Sequence, residues 1–182
     1  AGHWYLATRG ITDETANLLQ LKIDPRDSEG EERILFPVFS PAGDLHGFSG
    51  RAISPDARIK VRDYAGLKKA GCLLGAHLIT ERKPNKLILV EGLFDYANAW
   101  QQGYPAGAIM SSTLTELQAR IVRDFGLPAY GFFDDDEAGA DCTEKAGAMI
   151  APYQPFMKVR YPEIWIEDDT EEDGGHWVKD PG

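Results

Sequence analysis

Among the 182 residues there are only two cysteines, Cys72 and Cys142, and they stand 70 positions apart. That spacing builds neither a zinc site nor a disulfide framework, so no zinc is expected in this chain and a reducing, cytoplasmic setting suits it. The four histidines, His3, His46, His77 and His176, are scattered and are assigned to no metal. No apolar run approaches the roughly 20 residues of a membrane span, and no basic-then-apolar leader is evident. Positive charge is also scarce, with 19 lysines and arginines against 29 acids and a net charge of −10. The deficit is local. The segment "EIWIEDDTEED", Glu163 to Asp173, holds seven acids and no base, and outside it 22 acids face 19 bases. A nucleic-acid partner that meets a local basic patch is therefore not excluded.

What is present is a hydrophobic content of 43%, enough for a core, arranged in two blocks. Residues 1–80 are irregular and basic in places. "GITDETANLLQLKI" reads as a short helix with Thr12 as N-cap and Asp13 and Glu14 at its positive end. "RILFPVFSPAGDLHGFSGRAI" reads as an antiparallel hairpin turning at "SPAGD". The stretch from "SPDARIK" to "LGAHLI" is basic, punctuated by glycine and partly irregular. Residues 81–182 alternate strand and helix, with "KLILVEG", "AGAIMS", "AYGFF" and "FMKVRYP" as strands. Between them lie the helices "LFDYANAWQQG", "TELQARIVRDFG" and "EAGADCTEKAGAMIAPY". Thr115 and Gln118 form a capping box, and Gly126 is a stop. The apolar stripe of that helix is Leu117, Ile121, Val122 and Phe125. Such alternation predicts an α/β fold, a mostly parallel sheet with flanking helices, preceded by a smaller mixed α+β subdomain.

Four acids in a row, Asp134, Asp135, Asp136 and Glu137, follow the strand "AYGFF" directly. Ligands of open parallel sheets gather outside the carboxyl ends of the strands. Glu91 ends another strand, and alternation sends Asp134 and Asp136 one way and Asp135 the other. Glu91, Asp134 and Asp136 would then face one point. Oxygen ligands of this kind suit Mg²⁺ or Mn²⁺ and not zinc. Acid clusters are more often solvated loops or helix starts, and Glu137 fits a helix start. Glu91 tips the balance, because an unpaired charge at the end of "LILV" is costly. Asp95, one helical turn on, caps or orients the site.

"LILVEGLFDYANA" followed by "GFFDDDEAG" resembles the Toprim domain, with its strand-terminal glutamate and later Asp-x-Asp. That fold is shared by primases, topoisomerases and some nucleases. The first block narrows the choice. "YLATRGITDETANLLQL" resembles the opening of the DnaG-type primase catalytic core, and "RILFPVFSPAGDLHGFSGRAI" resembles its Phe-Pro, turn, Gly-Phe-x-Gly-Arg segment. "SSTLTELQ" and the terminal "VKDPG" resemble further elements of the same core, in order. There are departures. Asp135 stands where the family has glycine, Gly182 where it has a second acid, and the segment after Gly-Arg is not recognisable in "ARIKVRDYAG". The zinc-binding module and helicase-contacting region of the family are missing from this sequence, the pattern of a divergent, phage- or plasmid-type member.

The resemblance implies synthesis of RNA primers on single-stranded DNA from ribonucleoside triphosphates, with a replicative helicase as partner through the missing regions. It implies location in the cytoplasm (that of the host for a phage protein) and no membrane. Asp134, Asp136 and Asp180 would be metal ligands, with Glu91 a ligand or general acid/base. Two divalent ions would act with nucleotide bound. Asp135 would add negative potential around them. Arg51, Lys60, Arg62, Lys68 and Lys69 would form the template- and nucleotide-binding groove, Arg51 gripping a phosphate. Arg9 would contact template or brace the first helix, and bracing is the favoured reading. Trp4, Tyr5, Trp100 and Phe125 are read as core and not as base-stacking platforms. The acidic segment around Trp165 and Trp177 would be a solvated flap, a mimic of nucleic-acid charge or a partner contact. Two other classes stay open: a Toprim-type metal-dependent nuclease, and a non-catalytic template- or helicase-binding module.

Overall fold

The computed structural model describes residues 2–160, together with the backbone of two short strands, Trp165–Glu167 and Gly175–Trp177, that pair antiparallel. The chain opens with two short helices, α1 (Gly2–Thr8) and α2 (Asp13–Leu18). The Thr12 hydroxyl accepts from the Thr15 N–H and caps α2 as its sequence requires. An antiparallel sheet follows, β1 (Lys22–Asp24), β2 (Arg33–Phe39), β3 (Leu45–Ala52) and β4 (Val61–Asp63), in that spatial order. The expected hairpin is β2–β3, and Gly43, at φ 93°, makes its turn possible. A 3₁₀ turn, Lys69–Gly71, and α3 (Ala76–Arg82) carry the chain onward. The division drawn at residues 80 and 81 falls inside α3.

The second sheet is parallel. Its strands are β5 (Leu87–Val90), β6 (Ala106–Ala108), β7 (Ala129–Gly131) and β8 (Phe156–Lys158), in the order β6-β5-β7-β8. Between them run α4 (Leu93–Gln101), α5 (Glu116–Phe125) and α6 (Glu137–Ile150). Right-handed crossovers set their sides. The step from β5 to β6 goes one way and the steps to β7 and β8 go the other, so α4 covers one face while α5 and α6 cover the opposite one. Accordingly α5 packs on α6, and α4 packs on α2 of the first block. One continuous core joins the two sheets. Ile34, Phe36 and Val38 of β2 are buried in it with Leu87, Leu89 and Val90 of β5. Both cysteines are free and buried within it. Among the described residues no helix is long and apolar enough to cross a membrane.

Two expectations about apolar residues change. Trp4 is 68% exposed, since α1 turns it away from the core that Tyr5 enters edge-on against Phe94. Leu117 is 58% exposed, and the fully buried position beside it belongs to Gln118. Trp100 is core as expected, its Nε1–H donating to the Ala106 carbonyl.

The antiparallel sheet also holds an ion pair that its sequence did not announce. Arg33 is fully buried, and its Nε donates to Asp27 Oδ2. Asp27 Oδ1 also accepts from the N–H groups of Glu29 and Glu31. Burial alone would raise the Asp27 pKa. The Arg33 hydrogen bond, the two backbone donors and the Arg33 charge outweigh burial and hold it well below the usual carboxylate range. Arg33→Met should therefore strand a buried carboxylate and cost about 3 kcal/mol or more, read as a lowered Tm. Because the folded value lies below the unfolded one near 4, Asp27 stabilises fully above about pH 4 to 5. That contribution should drain away at lower pH, and Asp27→Asn should flatten this acid limb of the stability profile.

Candidate active site at the carboxyl edge of the parallel sheet

The connections leaving β5 and β7 go to opposite faces of the sheet. Neighbouring strands whose connections diverge leave a crevice at their carboxyl ends, the place where α/β proteins bind ligands. Glu91 follows β5 at this point and Asp134 follows β7. They meet there, as the Asp134 N–H donates to Glu91 Oε1 at 3.4 Å. Glu91 is half-buried, and its pKa is pushed up to about 7, first by burial, then by the charge of Asp134. The hydrogen bond from the Asp134 N–H opposes the rise, while the charges of Asp136 and Asp95 add to it.

Asp136 has a second duty. It is the N-cap of α6, and its Oδ1 accepts from the Gly139 N–H at 2.8 Å. Gly139 has to be glycine, since a β-carbon there would collide with the Asp134 carbonyl oxygen. Asp95 works from the other side of its cap: it is the third residue of α4, and its Oδ2 reaches back to accept from the N-cap Gly92 N–H at 2.9 Å. Asp135 is exposed. The carboxylates do not close into a cage: among the described residues, no three His, Cys, Asp or Glu side chains form a group that could hold a metal ion. Asp180 lies outside the described residues. The donor set still fits a hard divalent cation. It is all oxygen, and burial together with the nearby charge of Asp134 leaves Glu91 poised to exchange its proton for a cation.

The expected basic groove divides in two. Arg62 Nη1 lies 3.3 Å from Asp27 Oδ2 and 3.7 Å from Glu29 Oε1, and Lys69 Nζ lies 3.0 Å from Asp63 Oδ2. These two bases serve internal carboxylates, and Arg62 belongs to the buried network. Sequence spacing cannot show this, because Asp27 lies 35 residues away. Lys60 and Lys68 are exposed, and their ammonium groups make no ion pair among the described residues. Arg51 lines a cleft of about 130 Å³ with Arg9, Val61, Gly92, Leu93, Phe94 and Asp95, directly beside the Glu91 turn. Its Nε is buried with no hydrogen-bond partner among the described residues. Arg9 braces Phe94, its guanidinium 4.9 Å from the ring centroid, and so takes part in the same cleft.

Gln118 was read only as half of a capping box. It does form one: the Thr115 hydroxyl accepts from the Gln118 N–H, and Gln118 Oε1 accepts from the Thr115 N–H. Its amide also reaches three carbonyls, of Lys69, Cys72 and Ile109. The one sequence signal was a polar residue placed on the buried side of an amphipathic helix.

A carboxyl raised from 4.5 to about 7 makes the metal-free fold less stable as pH rises through that window, because the folded state holds the proton more tightly. A cation displaces that proton. Added Mg²⁺ or Mn²⁺ should thus raise Tm more at pH 8 than at pH 6, and carboxyl-detected NMR of Asp134→Asn should show Glu91 titrating lower than in the parent. An equal metal effect at both pH values would show that Glu91 and the metal do not compete.

Comparison with known proteins agrees with this architecture. Residues 88–173 match a family described as Toprim-like. The chain is 28% identical over 173 residues to a DNA primase of Halalkalibacterium halodurans, covering 86% of this chain and 29% of that protein. It is 32% identical over 152 residues to a DNA primase of Geobacillus stearothermophilus, covering 80% of this chain and 25% of that one. The chain thus spans under a third of the length of these curated relatives. Among solved structures, the zinc-binding and RNA polymerase domains of Aquifex aeolicus primase superpose with a TM-score of 0.74 at 24% identity, over 88% of this chain and 49% of that one. A DnaG primase catalytic domain bound to ssDNA gives 0.74 at 20% identity, over 93% and 64%. With a Toprim-like second block, and a first block that aligns in order with the same proteins, the chain is similar throughout to DnaG-type primase catalytic cores.

Proposed function

We propose that this chain synthesises RNA primers on a single-stranded DNA template by nucleotidyl transfer from ribonucleoside triphosphates. The observation that carries the reading is the meeting of Glu91 and Asp134 at the switch between β5 and β7, with the Arg51 cleft beside it. Residues 81–182 form the catalytic part and residues 1–80 the template-binding part. Glu91, Asp134, Asp136 and Asp180 are the residues that hold divalent ions. Mg²⁺ or Mn²⁺ held there would supply positive charge to the triphosphate and to the departing pyrophosphate.

Glu91 is the group that takes the proton of the attacking 3′-hydroxyl onto a carboxylate oxygen. Half-buried between the strand ends, it holds a proton more readily than a free glutamate does. Asp136 is fixed by its cap on α6, which engages Oδ1 and leaves Oδ2 for an ion. Arg51 holds a phosphate with its fork of donors, pre-positioned by β3 and with its Nε already withdrawn from water. Lys60 and Lys68 attract the template backbone. Arg62 and Lys69 contribute by ordering the acids they pair with and not by gripping phosphate. A replicative helicase is the partner that the remainder of a longer protein would contact, and the host or bacterial cytoplasm is the place of action.

The test is incorporation of labelled ribonucleotides on single-stranded DNA with Mg²⁺ or Mn²⁺. Asp134→Ala and Glu91→Gln should each lower product at least 100-fold while folding normally. If the chain cuts the template without needing nucleotide, it is a nuclease; if it binds template but never extends or cuts it, it is a binding module. Among the bases, Lys60→Ala should weaken DNA binding with an unchanged Tm, whereas Arg62→Ala should lower Tm with a smaller effect on binding. A reversal of that pattern would put Arg62 in the groove after all.

A further inference from the structure

Among the described residues at the active edge, Gln118 is a fully buried uncharged polar side chain, and the capping box uses only half of its amide. Nε2 donates to the carbonyls of Cys72 and Ile109, each at 2.9 Å, and to that of Lys69 at 3.1 Å. Three separate pieces of chain thereby meet at one amide: the 3₁₀ turn of the first block, the end of β6 and the start of α5. The neighbouring Thr115 adds a fourth tie, its hydroxyl donating to the Ala70 carbonyl. Below the amide the same seam continues as a bridge, in which Leu74 and Ala108 exchange backbone hydrogen bonds.

Each end of the seam leads somewhere functional. On one side the Ile109 N–H donates to the Val90 carbonyl and the Met110 N–H to the Glu91 carbonyl. Met110 is held with a left-handed φ of 59°, a backbone that few side chains adopt unless their neighbours impose it. On the other side the turn begins at Lys68, whose own carbonyl accepts from the Gly71 N–H. A lysine on a loose loop would wander. Here its peptide is pinned through the 3₁₀ turn, Gln118 and Ile109 to the strand that ends in Glu91, while its ammonium stays in solvent.

We infer that Gln118 is a positioning residue of the nucleic-acid-binding edge: it locks the turn bearing Lys68 to the carboxyl end of β6 beside Glu91. It touches no substrate and acts through Lys68. The inference rests on the primer-synthesis reading for its ligand, single-stranded DNA.

A double-mutant cycle tests it, with Gln118→Met and Lys68→Ala read by oligodeoxynucleotide binding over a range of salt concentrations. Methionine keeps the length and apolar stem of glutamine and removes its donors together with the acceptor of the Thr115 N–H, whose loss is read separately as the change in Tm. If Gln118 acts through Lys68, each single variant should weaken binding roughly 3- to 10-fold. Each should also reduce the slope of log affinity on log salt by about 0.7, one phosphate contact on a single strand. The double variant should be no worse than the worse single one, since the two changes remove one shared contact. A purely structural Gln118 would lower Tm, leave the salt slope untouched and add to Lys68→Ala in full; that result overturns the inference. Should Gln118→Met fail to fold, Thr115→Asp replaces it, keeping the N-cap acceptor while removing the donor to Ala70. The same slope change and lack of additivity are expected, and normal slopes would overturn the proposal. A parent chain that binds no single-stranded DNA would overturn the function reading itself, and this inference with it; a parent that binds while the cycle is additive would overturn only the inference.

Discussion

Two carboxylates are brought together in this molecule by a reversal of chain direction across a sheet. Because the connection after β5 leaves on one face and the connection after β7 on the other, neither helix can cover the gap between those strand ends. Glu91 and Asp134 occupy it. Burial and then their repulsion set the character of the neighbourhood. Glu91 keeps a proton more readily than a free glutamate, Asp136 is tethered by α6, and Asp95 is turned back onto the start of α4. A site organised in this way lacks only positive charge, whether proton, metal ion or arginine. Arg51 stands within reach of the same turn.

The first block answers the second with charges of its own, allotted between fold and surface. The Asp27–Arg33 pair and the reach of Arg62 into it fix the strands that carry Arg51. Such buried pairs are worth less to stability than their Coulomb attraction suggests, but they allow few arrangements once formed. Arg62, one of several bases that the sequence offered as DNA contacts, is thus occupied in shaping the support of Arg51, which lines the cleft. The free bases that remain, Lys60 and Lys68, flank this support on exposed turns.

Local rules reached far into this fold, and their limits are instructive. The parallel alternation, the β2–β3 hairpin, the Thr12 and Thr115 caps and the glycine stop of α5 were all legible, because each depends on residues within four positions of one another. The strands β1 and β4 and the helices α1 and α3 were not read, being short and held by packing rather than by pattern. The carboxylate constellation was visible as residue types at strand ends, but the capping duty of Asp136 was not. An aspartate before a helix satisfies both readings. Long-range pairings such as Asp27 with Arg62, or Gln118 with Cys72, leave no mark on either partner's neighbours. They emerge only when the sheet is assembled.

The cap on Asp136 bears on how tightly an ion could be held. A carboxylate on a free loop samples several rotamers and loses them when it coordinates, and that loss of freedom is charged against affinity. Asp136 has already surrendered its rotamers to the Gly139 N–H during folding. For the proposed ligand Asp136 the entropy of capture would be spent before any ion arrived, so the first turn of α6 would act as a spring-less jaw whose opening is set by the helix and not by the ion.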